Sequence, residues 1–228
     1  MSRARLLKPS ELLGAFAGLL LACSQAEMSS EPGANHDWPE GTVLACDGEP
    51  ISAVEVDRVA EALKPLGPKF TQPHLRRLAL TNVSLPLAAG RAMGGQERRS
   101  EALRAAEEAL RGLQSPSEEL GVLAEGTQDV LGIPLWVLLQ DLEVGLWTGP
   151  WELPGQHVLV LLLNKDGNLR PQNEVFSARV VSFPYVDDPP SLAGEALQAS
   201  LEVVEGSWET LVPGFWRHQM ERAEPAAD

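Results

Sequence analysis

The stretch His157-Val158-Leu159-Val160-Leu161-Leu162-Leu163, followed by Asn164-Lys165-Asp166-Gly167-Asn168, decides the fold class. A continuous apolar run rich in Val and Leu predicts a strand buried on both faces. Asp166-Gly167 is the core of a predicted tight turn over Asn164–Asn168. From Glu174 to Val186 the sequence again alternates or runs apolar, so a long hairpin is expected. Just upstream, Pro134 to Gln140 reads as a short helix rich in Leu and Trp. Downstream, Asp187-Asp188-Pro189-Pro190 ends the hairpin and opens a helix through Leu192, Ala196 and Leu197. A last amphipathic stretch carries Trp208, Leu211, Val212 and Phe215.

The segment before this sheet is helical in pattern. Thr42 to Cys46 is a short β-prone run, and Asp47-Gly48-Glu49-Pro50 is a turn signal. Ser52 followed by Glu55 forms a capping box, with Val56, Val59, Ala60 and Leu63 on one helical face. Pro65, Gly67 and Pro68 stop that helix. Thr71 caps a second, with Leu75, Leu78 and Ala79 on its apolar side, a kink at Pro86 and an end before Gly94-Gly95. A third runs from Glu97 to Leu113 with Leu103, Ala106, Leu110 and Leu113 in register. Ser115-Pro116-Ser117-Glu118 is a further cap. Helices followed by a small antiparallel sheet with packed helices give an α+β fold.

Arg3, Arg5 and Lys8 precede an apolar run from Leu12 to Leu21. The run is too short to span a bilayer, which takes about 20 apolar residues, and fits the h-region of a signal peptide. Leu20-Leu21-Ala22-Cys23 resembles a bacterial lipobox, in which the cysteine thiol is acylated. That resemblance implies lipidation at Cys23 and a place in the bacterial cell envelope, anchored by lipid and facing the periplasm, at the outer membrane rather than the inner. The organisation expected is a signal peptide over 1–22, a flexible tether over 23–40, a helical region over 41–118, an α+β region over 119–220 and a loose tail over 221–228.

Composition narrows the chemistry. With 44% hydrophobic and 22% charged residues, the chain is not wholly disordered. A net charge of −14 argues against nucleic acid as a partner, because phosphate backbones repel it. Two cysteines make neither a disulfide framework nor a Cys-only zinc site. With Cys23 lipidated, Cys46 is alone and reads as a small buried hydrophobe. The four histidines are scattered. There is no Gly-rich phosphate loop, nucleophile elbow, His-Glu-x-x-His or Cys-x-x-Cys, so neither a metal nor a cofactor is predicted.

Two segments carry a family resemblance. Val43 to Ser52, with helices following, resembles the N-terminal region of SurA- and PrsA-type periplasmic foldases. Residues 119–163 resemble the latter half of a parvulin-type prolyl isomerase domain. Leu120-Gly121, Ile133-Pro134-Leu135-Trp136, Leu142-Glu143-Val144-Gly145, Thr148-Gly149-Pro150 and Gly155-Gln156-His157-Val158-Leu159 carry the match. The order departs from the family in one respect. The strand that would open a parvulin domain with Arg-His-Ile-Leu is missing upstream. A related one, Ala178-Arg179-Val180-Val181, comes afterwards with Val in place of His.

The resemblance implies an envelope foldase or chaperone acting on unfolded or Pro-containing segments of nascent envelope proteins. It also implies peptidyl-prolyl cis–trans isomerase chemistry with His157 as the catalytic polar residue and Ile133, Leu135 and Trp136 as the proline slot. Such catalysis needs no nucleophile. It needs an apolar slot and polar groups that favour the twisted amide. The residues leave alternatives open: His157 as an ordinary strand histidine, Trp136 as core. Trp147, Trp151, Trp208 and Trp216 read either as core or as binding surface. A non-catalytic structural or assembly-subunit lipoprotein on a degenerate parvulin scaffold is the other expectation.

Overall fold

The computed structural model describes residues 37–113, 120–167, 173–189, 198–217 and 220–221. The leader with Cys23, the Ser115–Glu118 cap and the helix expected through Leu192 to Leu197 lie outside them.

The first elements among the described residues form a hairpin. Strand β1 (Thr42–Cys46) turns at Asp47-Gly48 into β2 (Glu49–Ser52). Both turn residues have positive φ, 47° and 82°, the backbone of the tight turns that suit strand twist. Ser52 then caps α1 (Ala53–Leu63) through Oγ, which accepts the Glu55 backbone N–H at 3.2 Å, as the capping box predicts. Val56, Val59, Ala60 and Leu63 are its buried face, also as predicted. Helix α2 (Gln72–Ala79) passes through a π turn at Leu80–Ser84 into α3 (Leu85–Gly112). Pro86 sits in the first turn of α3, directly after the π turn. At Gly95 (φ 64°, ψ 164°) α3 breaks into two helical pieces, a conformation that disfavours any residue with a Cβ.

Strand β3 (Val122–Gly126) leads into short helices α4 (Gln128–Leu131) and α5 (Ile133–Gln140). Then come β4 (Trp147–Leu153), β5 (Gln156–Asp166) and β6 (Val175–Pro184). Strand β7 (Leu201–Val203), a 3₁₀ turn at Gly206–Leu211 and β8 (Met220–Glu221) follow. Among the described residues the fold is α+β with two four-stranded sheets, ordered β2-β1-β7-β8 and β3-β6-β5-β4. All pairings are antiparallel except β7 with β8.

The expected hairpin is β5–β6, but β5 runs further than predicted. Asn164, Lys165 and Asp166 pair with Ser177, Phe176 and Val175, so they are strand and not turn. A register shift between Leu162 and Asn164 lets the ladder continue past the apolar run.

The regions read as 41–118 and 119–220 share one core within a compact unit over 35–228. β1 from the first region is hydrogen-bonded between β2 and β7, and Val56, Leu85, Trp136, Val160 and Trp208 belong to the same cluster. Helix α3 contacts strands of both sheets. Two placements differ from expectation. Ala106 is buried as expected, but Leu103 is exposed and Ala102 is buried in its place, because small side chains let the helix pack closely. Phe215 is exposed while Trp216 is buried. Cys46 is fully buried, and burial, then the charges of Asp47 and Glu49, push its thiol up from 9.0 to about 12. It is inert packing, as the sequence suggested.

Candidate functional site

Helix α5 is Ile133-Pro134-Leu135-Trp136-Val137-Leu138-Leu139-Gln140, apolar on every side except its last residue. Its faces have separate fates. Trp136 and Leu139 are fully buried, and the Trp136 ring meets Phe176 edge-on with centroids 6.5 Å apart. Pro134, Val137 and Leu138, spaced at one helical turn, face an open groove of roughly 610 Å³. Val59 and Ala62 of α1, Val83 and Leu87 near the start of α3, and Leu142, Leu146, Trp151 and Leu153 complete its apolar lining. Leu146 and Trp151 remain 57% and 37% exposed at the mouth, and the Trp151 indole donates to Thr148 Oγ1 at 3.1 Å. The polar lining is Glu55, Arg58, Arg91, Asp141, Glu143, Thr148 and Glu152.

At one end the groove reaches a charged hub under α3. Glu152 of β4 receives Arg91 in a forked bond, Nη2 at 2.7 Å and Nε at 3.1 Å. Arg99, from the other piece of the broken helix, approaches Glu152 at 3.6 Å and Glu49 at 3.5 Å. Arg91 also lies 3.8 Å from Glu55. The Tyr185 hydroxyl donates to Glu152 at 3.2 Å. Tyr185 packs so closely on Gly94 that a Cβ there would lie 2.4 Å from its ring, so that position admits only glycine without movement. Burial alone would raise the Glu152 carboxyl. The bonds and charge of Arg91, with Arg99, outweigh burial and hold it below 4.5. Tyr185 is pushed up by burial and then by Glu152.

His157 belongs to this hub. It is the direct β-ladder partner of Glu152, is 7% exposed, and packs against Tyr185 with ring centroids 5.5 Å apart and the planes tilted at 57°. Burial lowers its pKa against the pull of Glu152 and of a backbone hydrogen bond with Arg99. Its ring is therefore held toward the neutral form.

The structure does not gather the four residues read from the sequence. Along β5, Val158, Val160 and Leu162 face the core that holds Trp136, so His157, one residue out of phase, faces the other way. Trp136 is sealed inside. Ile133 packs partly buried against that core. Leu135 lines a second cleft of about 530 Å³ together with Pro86, Pro134, Leu153, Pro154 and Val180. The residues that sequence reasoning missed are Val137, Leu138, Leu142 and Leu146 of the groove and Arg91, Arg99, Glu152 and Tyr185 of the hub.

Among the described residues no three His, Cys, Asp or Glu side chains are placed to hold a metal, and no helix is long and apolar enough to cross a membrane. In comparisons with protein-family models, curated proteins and solved structures, no match was found.

Proposed function

We propose that this chain is an envelope lipoprotein of the foldase or chaperone type, anchored through Cys23, which holds non-native polypeptide segments in the groove between α1, α5 and β4. The observation that carries the reading is the groove itself. It is roughly 610 Å³, floored by aliphatic side chains and open to solvent, with Leu146 and Trp151 exposed at its mouth. An extended segment laid there would bury apolar surface on both partners without requiring a fixed sequence. The acidic exterior, at net charge −14, would keep such a complex soluble.

Prolyl isomerisation is not part of the proposal. His157 is engaged with the hub and lies on the other sheet face from Trp136. The second reading, a non-catalytic assembly subunit, rests on a different observation. Strand β3 is an edge of its sheet and carries Val122 and Leu123 73% and 47% exposed, with Val130 71% exposed just beyond it. Such an edge suits a folded partner.

The groove is tested by titrating a reduced, alkylated and therefore permanently unfolded fluorescent protein. Leu146→Ser combined with Trp151→Ser is expected to weaken binding at least about tenfold, since burying each large apolar side chain contributes about 1.5–3 kcal/mol. Both side chains are partly exposed, so the fold should survive. Undiminished binding by this double variant would remove the groove from the reading.

A further inference from the structure

Charge at the groove narrows what it can hold. The lining contains four carboxylates, Glu55, Asp141, Glu143 and Glu152, against two guanidiniums, Arg58 and Arg91. Arg91 is spent on Glu152 at 2.7 Å and Glu55 at 3.8 Å. Among the described residues Asp141 and Glu143 have no ion pair, and both are exposed in the loop between α5 and β4. That loop also carries Leu146, so carboxylates and apolar surface meet at one mouth. The exposed Trp151 adds an indole, the ring that attracts cations best. Arg58 is the remaining cation of the lining, outnumbered by the two acids; Lys165, which donates to the Gln140 carbonyl at 2.9 Å, is paired with Glu174.

We infer that the occupant of the groove is an apolar polypeptide segment carrying Lys or Arg beside its apolar residues, and that acidic segments are rejected. This rests on the peptide-binding reading above. The aliphatic floor takes the apolar side chains. Asp141, Glu143 and the Trp151 ring take the cationic one at the mouth, where its head stays hydrated and its stem lies on Leu146. A carboxylate in the same position meets two like charges, and the whole chain repels it further.

The experiment compares two dye-labelled peptides with one shared Leu- and Phe-rich core, flanked by Lys in one and by Glu in the other, titrated by anisotropy against the purified chain. The Lys-flanked peptide is expected to bind about tenfold tighter at low ionic strength, with the difference shrinking in concentrated salt. In Asp141→Asn with Glu143→Gln the difference should fall to about twofold. Equal binding of the two peptides overturns the inference and leaves peptide binding standing. A difference that persists in the double variant also overturns it, because the selectivity would then come from net charge elsewhere. Failure of both peptides to bind overturns the peptide-binding reading and this inference with it.

Discussion

Replacing Trp136 with Ala is expected to lower the unfolding free energy by about 3–5 kcal/mol, the range for emptying a buried aromatic site. Trp136 is fully buried, and its ring meets Phe176 at 85° within the cluster that joins both sheets. Its indole N–H has no acceptor among the described residues, so packing holds it there and not a hydrogen bond. Trp136→Phe should therefore be far milder than Trp136→Ala, since it keeps most of the ring and removes an unsatisfied donor. Chemical denaturation measures both. A loss below about 1 kcal/mol in Trp136→Ala would contradict the buried position, because it is far under the range for a sealed core aromatic. It would also reopen the proline-slot role that the sequence suggested.

Glu152→Leu should be nearly as damaging. Removing one partner of a buried ion pair costs about 3–5 kcal/mol, and the remaining exposure of the pair lowers the expectation here to about 2–3 kcal/mol. The change leaves Arg91 and Arg99 without their shared carboxylate and Tyr185 with only the longer bond to the Leu153 carbonyl, at 3.4 Å. Adding Arg91→Met to Glu152→Leu should restore part of the loss, because it withdraws one of the abandoned charges. A double variant no better than the single one would show that the Arg91 charge is not what destabilises it.

The pH dependence has a definite sign. The folded-state carboxyl of Glu152 lies below 4.5, so its contribution is present above pH 4.5 and is lost as pH falls through the lowered value. Burial depresses His157 in the fold, so proton uptake by the unfolded chain begins to erode stability below about 6.5. Glu152→Leu should flatten the first of these acid limbs.

Local signals in the sequence were enough for the elements they govern. The Val- and Leu-rich run after His157 pointed to β5, and the Ser52–Glu55 spacing placed the start of α1 because a cap is a contact between near neighbours. Strands β3 and β4 escaped notice. β4 is Trp-Thr-Gly-Pro-Trp-Glu-Leu, where Gly149-Pro150 and a register shift between Thr148 and Trp151 interrupt the alternation that marks a strand.

The site was harder to read than the fold. The sequence identified α5 as important but not its open face. A helix apolar all round has no periodicity to say which side is covered, so Trp136 and Leu138 look equivalent until α1 and the sheet are in place. The hub left no local trace. Arg91 and Glu152 lie 61 residues apart, and each alone resembles an ordinary surface charge. His157 is a similar case. Its place at a strand start was legible, but which face it takes depends on the phase of Val158, Val160 and Leu162 against the core.

The most direct measurement is an NMR titration of the methyl-labelled chain with the unlabelled Lys-flanked apolar peptide. Shifts are expected at Val59, Val137, Leu138, Leu142 and Leu146, which line the groove. Val122, Leu123 and Val130, on and beside the β3 edge, should stay unmoved. Shifts confined to those three, or none at all, would contradict peptide binding in the groove.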